Sequence, residues 1–327
     1  MKPGRVAVFR PGRAGDFILT TPLFNAIKDY SPETHLTVIT GRRSAELARF
    51  HPAIDQTLIL DAAPINVAKL LWAIRRSRFD IWIDPKDHPS RNSVLVASLA
   101  RAERKIGFNG ERLKPFDLTL SPGEEAGLHF SEQVLLPLGL VGIPAPRVPR
   151  ISLGLSSESR LWAERQIKPD EWTVLVNISA GSGSRFWPVA EWSQLLPGIA
   201  AIRPTRFLLS SAPEDAVRAE WLEREVLQQG VNLRRLPGSS LLDLAALVGR
   251  VDLVLTVDTS IVHLAAAFDR PVVALYIREF PVFTLFQPRS TRQRVVAAER
   301  GAPMSSIPVD QVAKAYGELA REPVSNG

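Results

Sequence analysis

Short apolar runs rich in β-branched residues alternate with longer amphipathic stretches through almost the whole chain. The alternation occurs in two series, which are separated by a proline-rich segment without periodicity over residues 141–149. Alternating strands and helices predict parallel sheets covered by helices, because parallel neighbours need a long crossover connection. We therefore predict a protein of two α/β domains in tandem, residues 1–150 and 151–327.

Each series predicts four strands, over residues 6–9, 36–39, 57–60 and 81–83 in the first and 173–178, 206–209, 253–257 and 272–276 in the second. The predicted helices cover residues 17–30, 44–50, 65–76, 90–101, 131–138, 189–202, 214–228, 241–248 and 260–268. Residues 280–308 show no regular pattern, and a last helix is expected over residues 309–321. Ligands of open α/β sheets bind beyond the carboxyl ends of the strands, so residues that directly follow strands are the candidates for a site.

Composition narrows the classes of partner. The 327 residues include no cysteine, which excludes disulfides, thiolate metal sites and cysteine nucleophiles. A net charge of +6 favours anionic partners, but the basic residues are scattered without interleaved aromatics, so we expect no nucleic acid. The chain shows neither a signal peptide nor a stretch long enough to span a bilayer, which predicts a cytoplasmic protein, soluble or peripheral.

A glycine turn follows the first strand, with Gly12, Arg13 and Gly15 ahead of Asp16. Glycines permit a tight turn with exposed backbone amides, and the helix that follows presents its positive N-terminus. The segment has neither the glycine fingerprint of dinucleotide folds nor a P-loop. Asp16 at the helix start is interpreted either as a helix cap or as a functional acid.

A second loop follows the first strand of the second half and carries Ser182, Ser184 and Arg185. Small residues let the backbone and hydroxyls approach a ligand, and an arginine can bind phosphate with two hydrogen bonds. Trp187 and Pro188 then start a helix, where proline suits the first turn. The alternative is a flexible loop with a solvated arginine and a packed tryptophan.

A third strand-to-helix junction contains Asp258, Thr259, Ser260 and His263. Backbone amides and hydroxyls at a helix start suit a diphosphate, and Thr259 and His263 share a helix face. The alternative is that Asp258 caps the helix and His263 is a core histidine.

In this order and spacing, the three segments resemble glycosyltransferase family 9, the heptosyltransferase family. The residues that match its pattern are Gly12, Gly15, Asp16, Thr21, Pro22, Arg185, Trp187, Pro188, Asp258, Thr259, His263, Ala266 and Ala267. Weaker similarities lie at residues 79–84, 104–108, 211–215 and 307–312.

The resemblance implies the GT-B fold, in which two Rossmann-like domains face each other across a cleft and bind the acceptor and the nucleotide-sugar respectively. It also implies inverting transfer without a metal or other cofactor, with ADP-heptose as the expected donor and a lipopolysaccharide-core or related anionic glycan or glycolipid as acceptor. Such an acceptor predicts peripheral contact with the cytoplasmic face of the inner membrane.

Site roles follow from the same resemblance. Asp16 would be the general base, Arg185 would neutralise the leaving diphosphate, and Asp215 matches an acidic ribose-binding position. The other expected donor-side residues are Ser182, Ser184, Asp258, Thr259, Ser260 and His263, and the expected acceptor-side residues are Gly12, Arg13, Gly15 and Thr21.

Two departures leave the donor open, since Ser260 stands where the family has glycine and residues 277–279 replace a glycine-containing turn. The alternatives are a non-catalytic GT-B protein that binds nucleotide-sugar or glycan, and a sugar-nucleotide epimerase or hydrolase of similar fold. Retention of Asp16 argues against the binding protein. Asp84, Asp87 and His88 have a spacing that a metal could use, but they fall where the family lines its acceptor cleft, and we predict no metal site there.

Overall fold

The computed structural model describes residues 2–86, 88, 90–110, 112–119, 127–279 and 281–322. The chain divides into two compact units, Met1–Leu155 and Ser156–Gly327. The division therefore falls slightly after residue 150, where the proline-rich segment suggested it. Among the described residues, no helix combines the length and the apolar character that a membrane span requires.

The first unit is a parallel sheet of five strands in the order β3-β2-β1-β4-β5. The strands are β1 Arg5–Arg10, β2 His35–Gly41, β3 Gln56–Leu60, β4 Arg78–Ile83 and β5 Arg101–Ile106. The helices are α1 Ala14–Tyr30, α2 Ala45–Phe50, α3 Pro64–Arg76, α4 Arg91–Leu99, α5 Phe130–Gln133 and α6 Leu136–Gly139.

β1 lies at the centre of this sheet, and its residues between the terminal Arg5 and Arg10 are apolar because both faces of the sheet are covered. On one face, Leu70 of α3 and Val94 of α4 pack with Phe9 and Trp82 in one hydrophobic cluster. The inward faces of α3 and α4 are thereby buried, which leaves their outward faces to solvent.

The second unit is a parallel sheet of six strands in the order β11-β10-β9-β6-β7-β8. Its strands are β6 Thr173–Asn177, β7 Arg206–Ser210, β8 Leu233–Arg235, β9 Leu253–Val257, β10 Val272–Ile277 and β11 Gln293–Ala298. Its helices are α7 Ser157–Gln166, α8 Val189–Ile202, α9 Ala216–Gln228, α10 Leu241–Val248, α11 Ser260–Ala267, α12 Val282–Phe286 and α13 Val309–Arg321.

Both sheets reverse their strand order at one position, between β1 and β4 in the first unit and between β6 and β9 in the second. Helices on either side of such a point diverge from the sheet and leave a crevice beyond the carboxyl ends of the two strands. Three of the four loops at these points carry the motif residues, and the fourth, after β4, carries Asp84.

The apolar pattern missed the edge strands β5, β8 and β11, together with helices α7 and α12, although the family similarity at residues 104–108 overlaps the end of β5. β5 is mostly charged and exposed, and β8 is only three residues long, so neither shows the apolar run of a buried strand. The expectation of an irregular segment over residues 280–308 was wrong, because β11 pairs with β10 there.

The helix expected over residues 131–138 is two short helices, α5 and α6. Pro137 has no backbone N–H to donate to the carbonyl of Gln133, so a continuous helix loses that hydrogen bond.

Candidate active site

Asp16 lies in the first turn of α1, where its side chain folds back toward the end of β1. Its Oδ2 atom accepts a hydrogen bond from the backbone N–H of Arg13 at 3.2 Å and lies 3.5 Å from Nη2 of Arg10. The N-cap residue is Arg13, so Asp16 does not cap the helix in the way we expected but forms the second half of a capping box. Oδ1 accepts no hydrogen bond from the described residues, which leaves one carboxylate oxygen uncommitted.

Gly12 makes this arrangement possible. A Cβ atom at Gly12 would lie 2.7 Å from Oδ2 of Asp16, which is closer than real Cβ contacts come. Gly15 and Asp16 are half-buried in the same turn, and the side chain of Arg13 is exposed.

Thr21 does not lie on this loop surface. It is fully buried in α1, where its hydroxyl donates to the carbonyl of Ile18 and accepts from the backbone N–H of Ser152. Its position is explained by a structural role, which is to tie the chain after the proline-rich segment to α1.

Arg10 is a residue to which the sequence assigned no role. Its guanidinium is 5% exposed and stacks on Phe130, with 4.7 Å to the ring centroid, while it faces Asp16. A charged residue directly after four apolar residues, at the carboxyl end of β1, was the signal that could have drawn attention to it.

Asp84 follows β4, the strand next to β1 at the reversal of strand order. Its carboxylate accepts a hydrogen bond from the hydroxyl of Ser93 and one from the backbone N–H of Lys86. Burial raises the pKa of Asp84, against the opposing effects of Ser93, Lys86 and Arg10. Asp87 lies outside the described residues, and no cluster of metal-ligating side chains occurs within them.

In the second unit, Asn177 links the two strands that flank the reversal point. Its side-chain amide at the end of β6 donates to the hydroxyl of Thr256 on β9 at 2.9 Å and to the carbonyl of Ser179 at 3.0 Å. The same amide lies 3.3 Å from the hydroxyl of Thr259. The loops after β6 and β9 are therefore held together by a buried amide, a contact that the sequence did not predict.

The loop after β6 brings Arg185 to the end of β9. Nη1 of Arg185 lies 3.0 Å from Oδ2 of Asp258, and their side chains are 30% and 13% exposed. Ser182 and Ser184 are exposed on the same loop, with their hydroxyl oxygens 3.2 Å apart. Trp187 anchors the loop, because its buried indole N–H donates to the carbonyl of Ile307 at 3.2 Å.

At the third junction, the residue that caps the helix is Thr259 and not Asp258. The hydroxyl of Thr259 accepts a hydrogen bond from the backbone N–H of Ile261, and Ser260 is the first residue of α11. His263 is buried one turn further along, with its ring 6.4 Å from that of Phe286. Asp258 instead faces Arg185.

Asp215 lies after β7 and is 2% exposed, with Oδ1 2.6 Å from Nη1 of Arg218. The guanidinium of Arg218 in turn stacks on Phe186, 4.4 Å from the ring centroid. Phe186 follows Arg185 directly, so Asp215 is connected to the loop after β6 through one arginine.

A cavity of about 610 Å³ lies elsewhere in the first unit, between β3 and α3. It is lined in part by Arg42, Asp61, Asn66 and Lys69, and it contains none of the predicted site residues. The candidate site residues instead follow the ends of β1, β6, β7 and β9.

Comparison with known proteins supplies the family. The model of glycosyltransferase family 9 (heptosyltransferase) matches residues 67–309. The chain belongs to glycosyltransferase family 9. It is a glycosyltransferase, as the three motifs predicted, and Asp16 precedes the matched residues.

Similar proteins agree with this family. The lipopolysaccharide core heptosyltransferase OpsX of Haemophilus influenzae is 24% identical over 317 residues, which cover 94% of this chain and 90% of that protein. A family 9 glycosyltransferase of Veillonella parvula has a TM-score of 0.83 at 20% identity, with 97% of each chain covered. The E. coli heptosyltransferase WaaC with ADP has a TM-score of 0.78 at 20% identity, with 96% of this chain and 99% of that chain covered. The predicted GT-B fold is thereby confirmed.

Proposed function

We propose that this family 9 enzyme transfers heptose from ADP-heptose to a lipopolysaccharide-core or related glycan acceptor, with inversion and without a metal ion. Family membership supports transfer of heptose, and the similarity to a WaaC structure that contains ADP supports an adenine nucleotide donor. The name of the OpsX relative supports a lipopolysaccharide-core acceptor. Residues 1–150 are assigned to the acceptor and residues 151–327 to the donor.

Asp16 is the proposed general base, and the geometry of its carboxylate carries this assignment. Arg10 and the N–H of Arg13 hold Oδ2, so the side chain has one orientation, while Oδ1 accepts no hydrogen bond from the described part of the chain. A base must reach the proton that it removes within about 2.6–3.2 Å. Oδ1 would accept the proton of the attacking hydroxyl, with Gly12, Arg13 and Gly15 forming the acceptor-side loop.

On the donor side, charged and hydrogen-bonding groups of the protein take the role that a metal ion would have. Arg185 carries the positive charge at the reversal point of the second sheet, held in place by Asp258. The backbone amides at the start of α11 and the hydroxyls of Thr259 and Ser260 add hydrogen-bond donors for the diphosphate. Together they would stabilise the negative charge that develops on the leaving nucleotide.

The remaining donor-side residues are assigned by their position around the same loops. Ser182 and Ser184 are exposed near Arg185, His263 lies on the first turns of α11, and Asp215 matches the ribose-binding position. The carboxylate of Asp215 is held by Arg218, which fixes its orientation. A glycolipid acceptor would place the enzyme at the cytoplasmic face of the inner membrane.

A transfer assay with ADP-, GDP-, UDP- and dTDP-sugars tests the proposal. Mass spectrometry of the acceptor, in parallel with release of the nucleotide, separates glycosyl transfer from donor breakdown. We expect a heptosylated acceptor with ADP-heptose and no comparable product with the other donors. Nucleotide release without acceptor modification would instead indicate a hydrolase.

A further inference from the structure

The outward faces of α3 and α4 carry an unusual combination of exposed apolar and basic side chains. On α3, Ile65, Lys69, Trp72 and Arg76 follow one another at helical spacing, so they form a single stripe. The side chains of Ile65 and Trp72 are 63% and 64% exposed.

The neighbouring helix α4 continues this surface. It contacts α3, and its Leu95 is 52% exposed, with the exposed Arg91 one turn before it. The two helices together contain four basic residues, Lys69, Arg75, Arg76 and Arg91, and no aspartate or glutamate.

Another exposed helix shows that this charge pattern is not general. α9 exposes Val217 and Leu227, which are 81% and 50% exposed, but it mixes two arginines with three glutamates. A solvent-exposed helix in this protein can therefore carry exposed apolar residues together with acidic and basic residues in similar numbers. The α3–α4 surface does not balance its charge.

We infer that the α3–α4 surface docks the enzyme on an anionic lipid surface. Tryptophan and aliphatic side chains insert into the interfacial region of a bilayer, while lysine and arginine extend to the headgroups. The guanidinium of Arg76 lies 5.2 Å from the ring centroid of Trp72, so apolar and cationic groups already share one patch. A lipid-docked enzyme meets a membrane-held acceptor, and to that extent the surface rests on the proposed function.

A protein partner fits this surface less well. Stable protein interfaces use about 20–30 residues a side, and their cores are enriched in tryptophan and arginine but depleted in lysine. Here three apolar side chains stand among four cations, and Lys69 lies within the stripe itself. This arrangement matches the headgroup region of an anionic bilayer, into which isolated apolar side chains can insert.

Vesicle flotation of the full chain tests the inference without any sugar. We expect binding to vesicles of phosphatidylglycerol mixed with phosphatidylcholine, weakening as salt is added, and no binding to phosphatidylcholine alone. The triple variant Lys69→Gln, Arg75→Gln, Arg76→Gln should bind about 100-fold more weakly, at about fivefold for each cation. Trp72→Ser should weaken binding by about tenfold.

A matched control removes the same charge from the other unit. Arg160, Arg165 and Arg224 are exposed on α7 and α9, and the triple change of these residues to Gln should leave flotation unchanged. An equal loss in both triple variants would overturn the inference, because net charge alone would then explain binding. So would a dimer of the unmodified chain that Trp72→Ser converts to a monomer, since the surface would then be a protein interface.

Transfer to a soluble acceptor fragment separates this inference from the proposed function. The triple variant on α3 should retain transfer to the soluble fragment while losing flotation. Flotation without transfer in the unmodified enzyme would contradict the proposed function alone. Transfer without flotation would contradict the lipid surface alone.

Discussion

At the scale of single residues, the two carboxylate oxygens of Asp16 have different surroundings. Oδ2 accepts a hydrogen bond from the backbone N–H of the N-cap residue Arg13 and faces Arg10, while Oδ1 stays uncommitted within the described residues. If the side chain only stabilised the helix, Oδ2 would be sufficient and Oδ1 would have no role. The hydrogen bond at the helix start and the proposed role as general base can therefore be separated by substitutions that keep one and remove the other.

Asp16→Asn keeps an oxygen that can accept from the N–H of Arg13 but cannot remove a proton. We expect the melting temperature and donor binding to change little, while kcat falls by about 10²–10⁴, as is usual when a general base is lost. Asp16→Ala should lose both the general base and the acceptor for the N–H of Arg13, so its free energy of unfolding should also fall by about 1 kcal/mol. Thermal melts and transfer rates of both variants are the measurement, and a fully active Asp16→Asn enzyme would leave Asp16 as a structural residue.

Arg185 is the residue on which donor use should depend. Arg185→Ala should lower kcat/KM for the donor by about 10- to 100-fold, because a charge-assisted hydrogen bond contributes about 1.5–3 kcal/mol. Arg185→Lys should have a kcat/KM between those of Arg185→Ala and the unmodified enzyme, since lysine keeps the charge and loses the planar fork of the guanidinium. Arg224→Ala, on the exposed face of α9, is the matched control and should be silent. Unchanged donor kinetics in Arg185→Ala would show that the arginine is merely solvated.

At the scale of elements, a buried histidine joins α2 to the chain that leaves the first unit. His51 directly follows α2, lies edge-on to Phe24, and approaches the hydroxyl of Ser152 with 3.5 Å from Nε2 to Oγ. Asn25 of α1 donates to the carbonyl of Arg150 at 2.8 Å in the same region. Burial, with a smaller effect from the charge of Arg150, lowers the pKa of His51 to about 4.

This lowered pKa predicts a pH dependence of stability. Between pH 6.5 and about 4 the unfolded chain binds a proton that the folded chain excludes, so the free energy of unfolding falls as the pH falls through this window. The loss should approach about 3 kcal/mol at the acid end, at roughly 1.4 kcal/mol for each unit of pKa shift. His51→Gln, which does not titrate, should flatten the curve in this window, and denaturant unfolding at several pH values measures it. Parallel curves for both proteins would contradict the assignment.

At the scale of the whole molecule, both units use the same strand order around their reversal points. The order β3-β2-β1-β4-β5 of the first sheet is repeated by β8-β7-β6-β9-β10 in the second, to which β11 is added. Most of the candidate site residues follow strands that flank a reversal, where the helices leave the strand ends open, and Asp215 follows the neighbouring strand β7. One architecture thus supplies a candidate base in one unit and a candidate anion site in the other.

The charge of the second unit leads to a prediction about metal ions. If Arg185 and the start of α11 stabilise the leaving diphosphate, transfer should persist in excess EDTA at an unchanged rate. Addition of Mg²⁺ or Mn²⁺ to the chelated enzyme should then have no effect. Activity that disappears with EDTA and returns with either ion would refute the metal-independent mechanism.

The sequence by itself determined the repeated α/β pattern and the location of the motifs. Centrally placed strands are buried on both faces, so each leaves a continuous apolar run that can be recognised locally, as in β9, whose predicted and observed bounds agree. The glycines and small residues around Asp16 and Arg185 are equally local, because a tight turn before a helix needs them at fixed spacing. The family resemblance depended on these segments, and it was confirmed.

Only the tertiary structure decided which side chains meet. Arg185 and Asp258 form an ion pair, and Asn177 reaches Thr256, because β6 and β9 are neighbours in the sheet although a long stretch of chain separates them. Strand order is not encoded in any local pattern, so neither contact could be read from spacing. The same reason explains the missed edge strands β5 and β8. β5 is mostly charged and β8 has three residues, so both depend on a neighbour's backbone hydrogen bonds rather than on an apolar run of their own.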